Sequence, residues 1–584
     1  MQKDSIRMFE DRFVSIKPIL KGWSEDKKYC VVSPDGTKYL LRLYAGNFEA
    51  KKADFEIMKR LAYMGVPMCL PIELGAWGEG VYTLQSWIEG EDAEAVIPLL
   101  SDTQAYVYGL KAGQVLRTIH AIPAPDNCEK WEMRFNRKLD RKIKGYRECP
   151  IKFDGADDMI DYISQNRQLL DGRPQTYQHG DYHIGNMMIE QDELKIIDFN
   201  RSDFGDPWEE FNRIVWCAQK SPLFASGMVN GYFGGKPPLA FWKLLALYIA
   251  GNTLSSVYWA IPFGQEEVDT MLAQAGDVLD WFDNMKNPVP KWYSEGFYIQ
   301  YPDGVPCKLK EPFDFGFLSE FGRVFKVYDD QDSGNICFGA AKDDKRYFIK
   351  FAGAPAERYT GTSEHAVTRL GLAASIYRDL AHPKLIKLLE TREAGGGLAL
   401  VFEWTDGECM GRMYPQSRRK FMSLSLETKI KVFGDILVFH EHAAAQGYVA
   451  VDFYDGSIMY DFQLGKTLIC DIDYYAKSPY TNTMGRMWGS SRFMSPEEFA
   501  LGAQLDEITN VYTMGATAFA LFSDYDRSGE KWPLGGRAYE VALKAISQNR
   551  ELRQASISQF RHEWEKSLLN IKKTPSILQE GTLK

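Results

Sequence analysis

The stretch that decides the fold is HGDYHIGN, residues His179–Asn186, which is followed by the run IID at residues 196–198. Asn186 stands five residues after Asp181, and Asp198 stands seventeen residues after it. Phosphoryl transfer needs one Asp to orient or accept the proton of the attacking hydroxyl. It also needs an Asn and a second Asp to hold Mg²⁺ on the nucleotide phosphates. The spacing therefore predicts a phosphoryl-transfer site in this part of the chain.

Length and composition limit the number of domains and the class of protein. A chain of 584 residues is too long for one core, and its 45% hydrophobic and 14% aromatic content is typical of a globular protein. The net charge of −10 disfavours nucleic acid or an anionic membrane as partner. Nine Cys at irregular spacing, without a C-x-x-C motif or an apolar leader after Met1, favour a reduced, cytoplasmic protein. The apolar stretch 239–263 is expected to be a buried helix pair rather than a membrane span.

The first half of the chain changes from strand patterns to helix patterns. Residues 29–32 and 39–43 alternate around a Pro34-Asp35-Gly36 turn, which predicts a hairpin. A helical pattern follows and should stop near Gly65, and a strand at 81–84 leads into long helical patterns. This order predicts a small β-rich lobe followed by a larger helical lobe.

The second half repeats that order after a Pro- and Gly-rich segment without a clear period. We expect a first domain at 1–293, a linker at 294–312, a second domain at 313–570 and a flexible tail at 571–584. The predicted fold class is α+β, with two tandem bilobal kinase-like domains.

The loop of the first half resembles that of the aminoglycoside phosphotransferase and choline-kinase-like family, over residues of about 12 to 292. The resemblance implies that Asp181 is the catalytic base and that Asn186 and Asp198 bind Mg²⁺. It further implies ATP as the donor and a small-molecule hydroxyl as the acceptor. The alternative is a loop with incidental acids.

The resemblance also implies a phosphate-binding cation on the third strand and an acidic partner for it on the next helix. Arg42 occupies the position where Lys is usual, and its planar guanidinium is bulkier than an ammonium. Asp54 is the expected partner, with Glu56 as the alternative. The turn Gly22–Glu25 is either a phosphate-covering loop or a plain hairpin turn.

Four acids follow Asp198 within twelve residues, at Asp203, Asp206, Glu209 and Glu210. They could form a pocket for a polycationic substrate. The run Asp206-Pro207-Trp208-Glu209 is better explained as a helix start with an Asp cap.

The second half resembles eukaryotic-type Ser/Thr protein kinases over residues of about 313 to 568. Asp452 takes the position of the base, Ser457 and Asp471 take those of the metal ligands, and Lys350 takes that of the phosphate-binding Lys. The resemblance also implies an ion pair between Glu497 and Arg553. Further matching segments are Gly322–Val324, Ser495–Glu497, Asn510–Gly515 and Asn549–Arg553.

Departures from the protein-kinase pattern make the activity of the second half uncertain. Ala450-Val451 replaces the usual His-Arg, which removes the partner of an activation-loop phosphate. Tyr454 replaces a Lys that contacts the γ-phosphate, and Ser457 replaces the Asn ligand, with Asp455 close enough to help. The helix partner of Lys350 is open between the positions of Ala373 and Glu364.

These observations predict an ATP- and Mg²⁺-dependent phosphotransferase whose first domain acts on a small molecule and whose second domain acts on protein Ser or Thr. One alternative is that the second domain is a regulatory pseudokinase. Another is that the second domain alone is active and the first binds a ligand. A third is a scaffold without enzymatic activity.

Overall fold

The computed structural model describes residues 7–20, 26–78 and 80–569. The chain divides into two compact units, Met1–Phe297 and Tyr298–Lys584. Each unit combines a five-stranded sheet with a set of helices, so the predicted mixture of helix and sheet is confirmed. The turn predicted at 22–25 and the tail predicted at 571–584 lie outside the described residues.

The first unit begins with an antiparallel sheet and one long helix. Its elements are α1 (Arg7–Glu10), β1 (Ser15–Ile19), β2 (Lys27–Val32), β3 (Lys38–Ala45), α2 (Phe48–Tyr63), β4 (Pro71–Trp77) and β5 (Gly80–Ser86). The strand order is β1-β2-β3-β5-β4. The predicted β2–β3 hairpin is confirmed, and its register places Lys28 opposite Arg42. Directly opposite residues share one face of a sheet, so these two cations lie side by side.

The remainder of the first unit is mainly helical. Its elements are β6 (Glu91–Asp92), α3 (Ala93–Val96), α4 (Asp102–Ile119), α5 (Trp131–Glu148), α6 (Ala156–Asn166), β7 (Thr176–Gln178), β8 (Met187–Glu190), β9 (Glu193–Ile196), β10 (Asp203–Gly205), α7 (Ile214–Lys220), α8 (Pro222–Phe233), α9 (Leu239–Ala260) and α10 (Gln265–Trp281). Strands β8 and β9 form a short hairpin between Asn186 and Asp198.

Helices α4 and α8 approach each other closely because glycines line their contact. A Cβ at Gly109 or Gly113 would lie 2.2 or 2.0 Å from a carbonyl oxygen of α8. Tyr182 of the decisive loop is fully buried, and its hydroxyl donates to the carbonyl of Ala112 in α4 at 2.7 Å. This pair of helices is therefore the support on which the loop rests.

Helix α9 passes through the core of the first unit. Together with the turn after it, Leu239–Phe263, it is long and apolar enough to cross a membrane by length and composition, and 67% of its most apolar window is buried. The prediction of a helix pair was wrong, because Leu239–Ala260 is one continuous helix and Pro262 comes only after its end. Burial inside the unit is the part of that prediction that the structure confirms.

The second unit starts within the segment predicted as a linker. Two short strands pair there, β11 (Tyr298–Gln300) and β12 (Cys307–Leu309). Cys307 and Leu309 are buried in the core of this unit's sheet region. Residues 298–309 are thus a structured part of the second unit.

A five-stranded antiparallel sheet follows, with one helix before its last two strands. The elements are β13 (Arg323–Tyr328), β14 (Asn335–Lys342), β15 (Lys345–Ala352), α11 (Ser363–Asp379), β16 (Leu388–Ala394) and β17 (Gly397–Glu403). The strand order is β13-β14-β15-β17-β16, which repeats the order found in the first unit.

The rest of the second unit contains short strands among helices. The elements are β18 (Glu408–Cys409), α12 (Pro415–Met422), α13 (Leu426–Ala445), β19 (Tyr448–Val449), β20 (Ile458–Asp461), β21 (Lys466–Ile469), β22 (Ala476–Lys477), β23 (Tyr480–Thr481), β24 (Gln504–Leu505), α14 (Glu507–Ser523), α15 (Gly536–Ala545) and α16 (Ile557–Leu568). Hairpin β20–β21 separates Ser457 from Asp471, as β8–β9 separates Asn186 from Asp198.

Candidate active site

The loop after β7 is fixed by its own buried side chains. His179 is fully buried, and its Nε2 lies 2.9 Å from the carbonyl oxygen of Ile197. Gly180 has a φ of 85°, which favours glycine, and its N–H donates to the Glu210 carboxylate at 3.0 Å. These bonds place Asp181 at the edge of the loop with a defined backbone. Glu210 was missed in the sequence as a loop-positioning residue, because it was grouped with the neighbouring acids.

Asp181 is surrounded by basic groups. Its Oδ1 lies 3.2 Å from Nε of Arg213 and 3.8 Å from Nε2 of His183, and its Oδ2 lies 3.6 Å from Nη1 of Arg201. Burial by itself raises the pKa of Asp181, but His183 and the two guanidinium groups outweigh it and bring the pKa well below its usual range. The carboxylate is therefore ionised at neutral pH and can accept a hydrogen bond from a hydroxyl.

Asn186 and Asp198 lie beside this carboxylate. The side-chain N–H₂ of Asn186 donates to the backbone carbonyl of Asp181 at 2.9 Å and to Oδ2 of Asp181 at 3.3 Å. The backbone carbonyl of Asn186 accepts from Ile197 N–H at 3.0 Å. Asp198 follows Ile197 in a left-handed conformation, with a φ of 69°. With its nitrogen committed to Asp181, Asn186 keeps its amide oxygen for a ligand. One amide oxygen and one carboxylate are a donor set that suits Mg²⁺ completed by water and phosphate oxygens.

Two cations approach Asp198 from the sheet. Nη2 of the buried Arg42 lies 3.2 Å from Oδ1 of Asp198 and 2.9 Å from Oδ2 of Asp26. Nζ of Lys28 lies 3.6 Å from Oδ2 of Asp198. Burial is the main reason that the pKa of Lys28 is lowered. Lys28 was missed in the sequence, although a hairpin register centred on the predicted turn at Asp35 places it opposite Arg42.

The expected ion pair between Arg42 and Asp54 is absent from the described residues. Asp54 pairs instead with Lys51 at 3.1 Å on its own helix, and Glu56 pairs with Lys59 at 2.9 Å. The physical reason is that Asp26 and Asp198 already balance the charge of Arg42. Asp54 nevertheless lines the cavity described next.

A cavity of about 350 Å³ lies between the sheet and the loop of the first unit. Asn186, Asp198 and Arg42 form part of its polar lining. Trp87, which follows β5, also lines it. The apolar lining includes Ile19, Leu40, Phe55, Met58, Met68 and Ile196. An apolar slot that ends in cations and a metal-type donor set can receive the base and the phosphates of a nucleotide.

The acids that follow Asp198 serve the fold. Asp206 is fully buried and accepts two hydrogen bonds from Arg173, at 2.7 and 2.8 Å, and one from the hydroxyl of Tyr248 at 2.6 Å. It also accepts from Trp208 N–H at 3.0 Å, but the predicted position of the N-cap was wrong, because Trp208 is the N-cap of this helical turn. The helical turn itself begins at Glu209, two residues later than a cap at Asp206 implies.

Asp452 of the second unit lies in a different environment. Its φ is 63°, and its side chain makes no hydrogen bond or ion pair with any residue in 7–20, 26–78 or 80–569. Burial, and after it the charges of Asp471 and Asp332, raises the pKa of Asp452 to about 7. In about half of the molecules, the Asp452 carboxyl group is therefore protonated near neutral pH.

Lys350 is held by two carboxylates. Its Nζ lies 2.8 Å from Oδ1 of Asp471 and 2.6 Å from Oδ2 of Asp473. Helix α11 contributes Tyr377, whose hydroxyl donates to Asp473 at 3.1 Å. Neither Ala373 nor Glu364 pairs with Lys350 in the described residues, because Asp473 fills that place.

Ser457 occupies the predicted backbone position. Its carbonyl accepts from Cys470 N–H at 2.9 Å, which is the bond that Asn186 makes with Ile197 in the first unit. Its hydroxyl is buried and has no hydrogen-bond partner in the described chain. Arg418, at 3.3 Å, and the hydroxyl of Tyr525 engage Oδ2 of Asp455, whereas its buried Oδ1 has no hydrogen-bond partner in the described chain.

The helical part of the second unit confirms one implied contact. Arg553 pairs with both carboxylate oxygens of Glu497, at 2.6 and 3.0 Å. In addition, the amide of Asn510 in α14 makes two hydrogen bonds with the backbone of Ala450, at 2.7 and 2.8 Å. Asn510 supports the loop that carries Asp452, as Glu210 supports the loop that carries Asp181.

A comparison with protein families matches part of the first unit. Residues 15–242 match the family model APH, described as the phosphotransferase enzyme family. No curated protein matches the chain.

Three solved structures are similar to about half of this chain. Two are structures of a thermostable mutant of aminoglycoside phosphotransferase APH(4)-Ia. The apo form has 15% identity, 48% of this chain and 98% of that chain covered, and a TM-score of 0.37. The ternary complex with AMP-PNP and hygromycin B has 14% identity, 47% and 98% covered, and a TM-score of 0.36. The third is a choline/ethanolamine kinase family protein from Mesorhizobium loti, with 16% identity, 49% and 98% covered, and a TM-score of 0.38.

Proposed function

We propose that this chain, an ATP-dependent phosphotransferase with a phosphotransferase-family domain at residues 15–242, transfers the γ-phosphoryl group of ATP to a hydroxyl of a small molecule in its first unit. One observation carries the proposal. The ionised Asp181 is hydrogen-bonded to Asn186, which lines the same cavity as Asp198 and Arg42. A hydroxyl at Asp181 would thus lie next to phosphates held in that cavity.

Each residue has a role that follows from its position. Asp181 orients the acceptor hydroxyl and takes its proton, which requires the carboxylate to lie within about 3 Å of that hydroxyl. Arg42 and Lys28 hold phosphate oxygens of the nucleotide. Asn186 and Asp198 would hold Mg²⁺, which supplies charge neutralisation at the phosphates. Most of the rate enhancement then comes from positioning and electrostatic stabilisation.

We further propose that the second unit is a divergent protein-kinase-like domain with a regulatory role. Its strand order, its Lys350–Asp471 pair and its Glu497–Arg553 pair support the kinase-like assignment. The regulatory role is supported by Asp452, which has no cationic partner in the described residues. Phosphorylation of protein Ser or Thr is the second candidate, because Asp452, Asp471 and Lys350 are all present.

The domain division and the location of the protein remain part of this proposal. We assign the first domain to residues 1–293. The second domain was predicted at 313–570, and we extend its start to residue 298 because β11 and β12 belong to the second unit. Nine irregularly spaced cysteines favour a cytoplasmic setting, and the net charge of −10 disfavours nucleic acid or an anionic membrane as partner.

The test compares Asp181→Asn with Asp452→Asn in the full chain. Turnover of labelled ATP is measured with a panel of small alcohols, sugars, nucleosides and amino alcohols. We expect D181N to lower kcat by about 10²- to 10⁴-fold, the contribution usual for general base catalysis. D452N should retain the activity. Full activity in D181N, or loss of activity in D452N alone, would place the chemistry elsewhere.

A further inference from the structure

The Glu210 carboxylate holds the backbone on both sides of Asp181. Its Oε1 accepts from Gly180 N–H at 3.0 Å and from Tyr182 N–H at 3.3 Å, and its Oε2 accepts from Gly180 N–H at 3.1 Å. Asp181 is the residue between these two N–H groups. Glu210 is only 2% exposed, so its carboxylate depends on protein groups for its hydrogen bonds. The position of Asp181 therefore depends on where the Glu210 carboxylate is held.

His120 is the basic residue that faces this carboxylate. It directly follows α4 and is buried, and its Nε2 lies 3.8 Å from Oε2 of Glu210. No Lys or Arg in the described part of the chain forms an ion pair with Glu210. The same Nε2 is buried and makes no hydrogen bond with any described residue. A closure of roughly 1 Å would give it a hydrogen bond of normal length to Glu210.

Tyr232 determines which ring nitrogen of His120 carries the hydrogen. Its hydroxyl lies 3.0 Å from Nδ1 of His120, and the two rings meet edge to face with their centroids 5.5 Å apart. A hydroxyl can donate or accept, whereas a carboxylate accepts. When Tyr232 donates to Nδ1, the ring hydrogen is on Nε2 and points toward Glu210. The opposite tautomer is disfavoured, because it would direct a nitrogen lone pair at a carboxylate oxygen.

We propose that His120 is a positioning residue for phosphoryl transfer and that it acts through Glu210. A chain of polar groups then runs from Tyr232 in α8 through His120 and Glu210 to the N–H groups on either side of Asp181. This inference rests on the function proposed above for the same site. His120, Tyr232 and Glu210 are not among the residues that line the nucleotide-sized cavity. A change at His120 should therefore alter kcat rather than KM for ATP.

The experiment compares two amides at position 120 of the full chain. His120→Gln can place an N–H₂ group near the position of Nε2, whereas the shorter side chain in His120→Asn reaches only the position of Nδ1. Turnover is measured with an acceptor from the panel above. We expect H120N to lower kcat by about three- to tenfold, the effect usual for one lost hydrogen bond, and H120Q to recover most of the loss. Gln114→Ala, at an exposed position of α4, is the control and should have no effect.

A double variant tests whether His120 acts through Glu210. If it does, H120N should lower kcat little further in a chain that already carries Glu210→Gln. Tyr232→Phe leaves the imidazole in place and should lower kcat in the same sense by about two- to threefold. Equal losses in H120Q and H120N, or losses in H120N and E210Q that multiply, would overturn the inference.

Amide hydrogen exchange separates this inference from the proposed function. Exchange is measured by mass spectrometry in peptides that contain Gly180 and Tyr182. We expect H120N to speed exchange there several-fold at an unchanged melting temperature, and H120Q to restore slow exchange. If exchange follows this pattern while no acceptor in the panel is phosphorylated, the proposed function fails and the role of His120 in holding the loop stands. Unchanged exchange in H120N overturns the inference, whatever the turnover.

Discussion

The two units carry the same loop geometry around a carboxylate but give that carboxylate opposite electrostatic surroundings. In both units a polar residue, Asn186 or Ser457, stands five residues after the loop Asp. Its backbone carbonyl accepts a hydrogen bond from the N–H of Ile197 or Cys470, which directly precedes the second Asp. Asp181 has three basic neighbours and a lowered pKa, whereas Asp452 has acidic neighbours and a pKa raised to about 7. The backbone arrangement can thus persist while the charges needed for chemistry are lost, so function must be argued from the site.

The phosphate-side cations differ in the same sense. In the first unit, Arg42 and Lys28 share Asp198 and Asp26, so two cations face two carboxylates. In the second unit, Lys350 alone faces two close carboxylates. Charge at the phosphate end is balanced in the first unit and negative in the second, which disfavours a nucleotide there without additional cations.

The largest effect is expected at Asp198, the second Asp of the first unit, and Asp471 is the matching residue of the second unit. Asp198→Asn should lower turnover by about a hundredfold or more, and it should remove the stabilisation by Mg-ATP, which reaches about 2.7 kcal/mol at 100 times Kd. Asp471→Asn should leave both nearly unchanged. Steady-state kinetics and thermal shift with Mg-ATP measure this. The reverse pattern would break the comparison by moving nucleotide binding to the second unit.

Stability should respond to the two loop carboxylates with opposite signs. The pKa of Asp452 is raised from 3.8 to about 7 in the folded chain. Between these values the folded chain keeps a proton that the unfolded chain has released, so the free energy of unfolding falls as pH rises from about 4 to about 7. Asp452→Asn removes this loss and should stabilise the chain at pH 8 by about 2 kcal/mol, after allowance for partial exposure, but not at pH 4.

Asp181→Asn supplies the matched measurement. The pKa of Asp181 is lowered, so its contribution to stability is present above the unfolded-state value near 4 and is lost as pH falls. D181N should therefore destabilise the chain at pH 7. Calorimetric unfolding of both variants at several pH values checks the signs. Stabilisation by both substitutions, or by neither, would contradict the contrast between the two loops.

A smaller effect is expected at the residues that support the two loops. Glu210→Gln keeps one acceptor for Gly180 N–H but puts an N–H₂ group where a second acceptor stood, so Asp181 should be positioned less well. We expect kcat to fall by about tenfold, consistent with one weakened charge-assisted bond, with little change in KM for ATP. Asn510→Asp in the second unit is the companion variant and should not alter this turnover. A change in KM alone for E210Q would argue against positioning.

The smallest effect is expected at Lys28. Its Nζ is 3.6 Å from Asp198 and its pKa is lowered by burial, so Lys28→Met should raise KM for ATP only about three- to tenfold. Asp54→Asn is the control, because Asp54 is half-exposed and pairs only with Lys51 among the described residues. Exposed pairs of this kind contribute about 0–1 kcal/mol. A larger effect of D54N than of K28M would restore Asp54 as a site residue.

Local spacing made part of the site predictable, and long-range contacts explain the rest. Asp181, Asn186 and Asp198 lie within eighteen residues, so the loop and one hairpin determine their arrangement. The roles of these residues as base and metal ligands stay predictions. Arg42 was identified by its strand, but its partner Asp26 was missed because the β1–β2 connection has no periodic pattern.

Family resemblance made one long-range contact predictable from the sequence. Glu497 and Arg553 are fifty-six residues apart and were paired correctly from motif order alone. Asp473 could not be found in this way, since nothing local marks it as the residue that holds Lys350. The supporting role of Glu210 was hidden for a similar reason, because its partners are backbone N–H groups about thirty residues earlier.

Helix α9 has a consequence for the biosynthesis of the protein. Its burial depends on partners on both sides in sequence, among them α5 and α6 before it and α10 after it. During synthesis, the 22 residues of the apolar helix α9 leave the ribosome before α10, which covers part of their surface, has been made. Exposed apolar segments of this kind make folding intermediates prone to aggregation. Truncation before α10 should therefore yield insoluble protein, even though every residue of the loop His179–Asn186 would still be present.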